Sequence, residues 1–119
     1  RPSVKMPTPD VVTRRVVAFV PDLMDRSRLS APGVEVVFVD DPEGLADTHA
    51  DLVVVDLARP GVIESLGAVA GPTVGFVAHI DEATMAAALA AGCDEVLARS
   101  RFFGRFAELV ASLGPPSGR

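Results

Sequence analysis

Residues 51–61 read DLVVVDLARPG: an uninterrupted apolar run that ends on one carboxylate, Asp56, and meets a Pro-Gly pair at 60–61. Four residues with no polar alternation fit a strand covered on both faces, as in parallel sheets with helices above and below. A charge midway along such a strand would be buried without a partner. Asp56 is therefore expected at the carboxyl end, where open α/β sheets place their ligands.

Working outward, further short apolar runs repeat the pattern. Strands are expected at Arg14 to Val20, Val34 to Val39, Asp51 to Val55, Thr73 to Ala78 and Asp94 to Ala98. Pro21 closes the first because it has no backbone donor for a central ladder. Between them lie a short helix from Leu23 to Leu29 capped by Asp22, one or two turns over Pro42 to Thr48, and a helix after Gly61 carrying Val62, Ile63, Leu66 and Val69 at helical spacing. A fourth helix is expected from Glu82 to Ala91, stopped by Gly92, and a fifth from Gly104 to Leu113 with Phe106, Leu109, Val110 and Leu113 on one face. Strands alternating with helices imply a parallel sheet covered on both sides by right-handed crossovers.

With 119 residues, the chain fits one domain over 14–113, flanked by a leader at 1–13 and a tail at 114–119. Six Phe with no Trp or Tyr give few stacking platforms for single-stranded nucleic acid, and a net charge of −5 gives no general pull on phosphate backbones. The lone Cys93 excludes an internal disulfide and favours a cytoplasmic setting. No apolar run approaches the roughly 20 residues that span a bilayer. No glycine-rich phosphate loop is present.

Strand-to-helix loops of such a sheet open on one edge, which brings Asp22, Asp40, Asp41, Asp56, His79 and Asp81 toward one another. Clustered acids can hold a hard divalent cation. The plainer alternative is that they cap helices and decorate loops. His79 reads as a polar loop residue, having no second His or Cys beside it, and Cys93 as a small buried hydrophobe.

The segments DLVVVDLARPG (51–61), GPTVGFVAHID (71–81) and AALAAGCDEVLARSRF (87–102) resemble, in that order, three stretches of bacterial response-regulator receiver domains. The resemblance implies an α/β class: one doubly wound (βα)5 flavodoxin-like domain with a five-stranded parallel sheet ordered 2-1-3-4-5. It puts Asp56 at the phosphoacceptor position. It puts Val20-Pro21 where the family has its Mg2+-binding acidic pair, Val77 where a Thr or Ser contacts the phosphoryl group, and Arg99 where a Lys stands, followed by Ser100 in place of Pro.

Phosphoryl transfer to a carboxylate depends on positioning and on a metal that neutralises charge. Asp22 and Asp56 alone would give Mg2+ few protein ligands, and Val77 has no hydroxyl to donate. Arg99 keeps the charge but presents a planar fork instead of a compact ammonium. The chain therefore reads as a degenerate receiver: a signalling module acting through protein contacts, not an enzyme, and without a cofactor. Two alternatives stay open. One is a working receiver, phosphorylated on Asp56 by a histidine kinase with Mg2+; the other is a flavodoxin-type domain binding a nucleotide or other small molecule. The implied partners are a histidine kinase or output protein, with neither nucleic acid nor membrane involved. The fourth helix, fifth strand and fifth helix, carrying Met85, Leu89, Phe102, Phe103 and Phe106, form the expected interaction face, for a homodimer or for docking a protein partner.

Overall fold

The computed structural model describes residues 14–47 and 49–113. The leader and the tail expected from the sequence lie outside the described residues. Five strands, β1 (Arg14–Phe19), β2 (Val34–Phe38), β3 (Leu52–Asp56), β4 (Thr73–Val77) and β5 (Glu95–Ala98), form one sheet in the order β2-β1-β3-β4-β5. Every neighbouring pair is parallel, and Val17 aligns with Val53 while Val54 aligns with Val74. This is the flavodoxin-like sheet, with its order, that the resemblance implies.

The two-residue period of the strands divides the core into two layers. Val16, Ala18, Val20, Leu52, Val54, Val74, Phe76 and Leu97 face one side. There they meet Leu29, which follows α1 (Leu23–Ser27), and Phe102, Phe106, Leu109 and Val110 of α4 (Arg99–Ala111). Val17, Phe19, Val53, Val55, Val77 and Val96 face the other side, against Leu45, Val62, Leu66 and Ala88. Leu45 belongs to a 3-10 helix over Pro42–Asp47; Val62 lies in α2 (Val62–Ser65), Leu66 in the 3-10 turn Leu66–Ala68 that extends it, and Ala88 in α3 (Glu82–Ala91).

The crossover covers are thinner than five full helices. A 3-10 helix joins β2 to β3, since Pro42 and Gly44 leave six residues with little tendency to propagate an α-helix. Helix α2 closes after four residues, and α1 after five. α3 starts on Asp81, whose side chain accepts from Thr84 N–H at 2.7 Å, and ends at Gly92 with φ of 121°. A left-handed stop of that kind suits a residue without Cβ.

The last helix corrects the sequence reading. It begins at Arg99, five positions before Gly104, and follows β5 with no intervening loop. Ser100 permits this: a proline there would push Arg99 out of the helical region. Gly104 lies inside the helix, on open surface where an added Cβ would meet nothing within 4 Å.

Candidate functional site

Asp56 is the last residue of β3 and is 7 % exposed. Its neighbours in sequence satisfy its carboxylate. Ala58 N–H donates to Oδ1 at 3.1 Å, an Asx-type turn, and Arg59 Nε donates to Oδ2 at 3.2 Å. The Arg59 side chain is 41 % exposed, so the ion pair is open to solvent on the arginine's side. Pro60 and Gly61, the latter at φ of 82°, turn the chain into α2 and hold the 57–61 loop over the strand end. Leu57, buried beneath that loop, occupies the space over Gly75, where an added Cβ would come within 2.6 Å of its side chain.

The other acids brought to this edge serve local structure. Asp22 is the N-cap of α1, accepting from Met24 N–H at 2.8 Å and Asp25 N–H at 3.1 Å. Asp41 accepts from Gly44 N–H at 3.2 Å. Asp40 is exposed and 3.9 Å from Arg26. Asp81 caps α3, and the Thr84 amide and then its hydroxyl hold the carboxyl below its ordinary value. His79 is exposed in the loop before it. Among the described residues, no group of three His, Cys, Asp or Glu is arranged to hold a metal ion. The pair Asp22 and Asp56, named from sequence as the ligands a metal would need, is thus a cap and an arginine-paired acid.

The replaced positions have definite places. Val20 is fully buried beyond the end of β1, Pro21 is half-buried, and Val77 is buried at the end of β4. Arg99 reaches across to α1. Its guanidinium pairs with Asp25, Nε donating to Oδ2 at 3.3 Å and a terminal nitrogen donating to Oδ1. Asp25 is 2 % exposed, so this fork supplies the counter-charge for a carboxylate taken out of water. Phe103 lies beside it, with the Arg28 guanidinium 4.4 Å and the Arg99 guanidinium 5.8 Å from its ring centre.

Two residues at the heart of this arrangement escape a reading of the sequence. Arg59 had a local signal, a cation three positions after an acid and just before a Pro-Gly turn. Asp25 had none: it looks like an ordinary first-turn acid, and its partner lies 74 positions away.

The expected interaction face needs correcting. Phe102 and Phe106 are 0 % and 2 % exposed; they stack among Phe76 and the sheet and leave nothing for a partner to touch. Helix α4, starting at Arg99, rotates both inward together with Leu109. Phe103 is half-buried against Phe76 and Phe102, Met85 is half-buried, and Leu89 is 45 % exposed.

Comparison with solved structures places the architecture. The chain is similar to the signal receiver domain of the response regulator NarL from Mycobacterium tuberculosis, with a TM-score of 0.71 and 20% identity over 84% of this chain and 94% of that one. A response regulator from Hahella chejuensis matches with a TM-score of 0.69 at 18% identity, covering 83% and 93% of the two chains. One from Thermotoga maritima matches with a TM-score of 0.66 at 14% identity, covering 85% and 100%. At these identities the likeness concerns the fold, which is that of receiver domains. No family model and no curated relative matches the sequence.

Proposed function

We propose that this chain is a receiver-fold signalling module that works through protein contacts, with phosphorylation at Asp56 impaired or absent. The observation that carries the reading is the state of the charges: Arg59 and the Ala58 amide already engage Asp56, while Arg99 is committed to Asp25. A phosphoryl group on Asp56 would have to displace Arg59. It would also find the apolar Val77 and Val20 nearby in the fold, which can offer neither a hydroxyl donor nor a metal ligand. On this reading the protein is not an enzyme and needs no cofactor. Its partners are a kinase or an output protein recognised by surface complementarity.

Spectroscopy of the labelled chain tests this. Titration with beryllofluoride and Mg2+ at millimolar concentration is expected to leave the amide spectrum of the 57–61 loop unchanged. A saturable shift that Asp56→Asn abolishes would overturn the proposal in favour of a working receiver that recruits Mg2+ and releases Arg59.

A further inference from the structure

Strand β2 is an edge of the sheet; among the described residues it pairs with β1 alone. Gly33 carbonyl accepts from Arg14 N–H, and Val39 N–H donates to Ala18 carbonyl. Odd-numbered residues of the strand therefore turn their backbones inward, and Val34, Val36 and Phe38 turn theirs outward. The flanking covers are the five-residue α1 and the 3-10 helix, and Val34, Val36, Val37, Phe38 and Val39 all stay half-exposed. Edges of this kind are ordinarily blunted with Lys, Pro or a bulge. The sequence VEVVF has none of these, and its one charge, Glu35, is directed to Arg15 of its own sheet at 3.8 Å. The opposite edge differs: β5 is four residues long, its Val96 and Leu97 are buried, and Glu95 meets Arg105 at 4.0 Å.

We infer that β2 pairs antiparallel with β2 of a second copy about a two-fold axis at Val36, extending the sheet across two subunits. The register is self-complementary. Val36 N–H reaches the Val36 carbonyl of the other copy in both directions, and Phe38 N–H reaches the Val34 carbonyl. The Val34 N–H, already donating to Ala31, is not required. On one face Val36 meets Val36 and Val34 meets Phe38, pairs that favour strand association. On the other, Glu35 stands opposite Val37, so no like charges confront each other directly. Any extended peptide offers the same backbone ladder, whereas a second copy also brings the apolar side-chain pairs Val36–Val36 and Val34–Phe38. The contact is small, and interfaces below about 1,200 Å² are weak, so a concentration-dependent dimer is expected.

Sedimentation of the whole 119-residue chain across a concentration series tests it, together with thiol cross-linking. Val36→Cys is expected to form a disulfide-linked dimer at least about tenfold faster than Val37→Cys, because facing Cα atoms at about 5.5 Å lie within disulfide range. Cys93 is buried and does not compete. Val36→Pro, which removes an outward donor and keeps the ladder to β1, should shift the chain to monomer without unfolding it. A chain that stays monomeric at every concentration would overturn the inference. So would a dimer indifferent to Val36→Pro, a cross-link favouring Val37→Cys, or capture of an extended peptide without self-association.

Discussion

Arg99 and Asp25 set the most consequential residue-scale energetics. Asp25 is nearly dry, and removing its counter-charge leaves a carboxylate that neither water nor another described side chain neutralises. Arg99→Ala is expected to cost about 2 kcal/mol in urea unfolding, a figure kept low because the guanidinium is partly solvated. Arg99→Lys should recover about half of that, since it restores charge without the fork. The sequence makes Arg99 legible as a replaced lysine but conceals what it holds. Its partner is fixed by the packing of α1 against α4, which no spacing rule conveys. Asp56 was legible for the opposite reason: a buried strand can carry an acid at its end only. The thiol of Cys93, pushed up by burial, should react with an aromatic disulfide reagent only as the chain unfolds. Reaction at the rate of a free thiol in the folded protein would refute that.

Among the elements, the strands were the easiest to read, because their apolar runs are short and bounded by Gly, Pro or Asp. The helices were harder. Gly104 looked like a start, yet it lies on the open face of α4, where glycine simply lowers the helix's stability. Gly104→Ala is therefore expected to stabilise the fold by about 0.5–1 kcal/mol, visible as a rise in unfolding midpoint. Gly92, at positive φ, gives the reverse: Gly92→Ala should cost about 1–2 kcal/mol. Helix α3 carries a pH dependence through Asp81. Its folded-state carboxyl is lowered by the Thr84 amide and hydroxyl, so the cap's contribution is fully present above the ordinary Asp value. It is lost as pH falls through the lowered folded value. Thr84 amide shifts should follow that titration, and Asp81→Asn, which keeps an oxygen acceptor, should remove the titration while keeping the cap.

For the molecule as a whole, two apolar layers on one sheet make the core, and the aromatic stack of Phe76, Phe102 and Phe106 anchors the α4 side. Phe102→Ala is expected to cost about 3–5 kcal/mol, measured by denaturant unfolding. Parallel order and sheet class followed from the alternation of strands with helical segments. The short covers over β2 were legible too, as a brief helix after Asp22 and one or two turns over 42–48; the 3-10 geometry of 42–47 was not, because it depends on how little chain remains to cross the sheet. The junction of β5 and α4 has a mechanical consequence. Ala98 ends the strand and Arg99 begins the helix, so no loop lies between them to absorb a relative movement. The two elements and, through the Arg99–Asp25 pair, α1 are thereby tied together by short connections. Under mild denaturant, the amides of Leu97 and Phe102 should consequently exchange with solvent as a single cooperative unit.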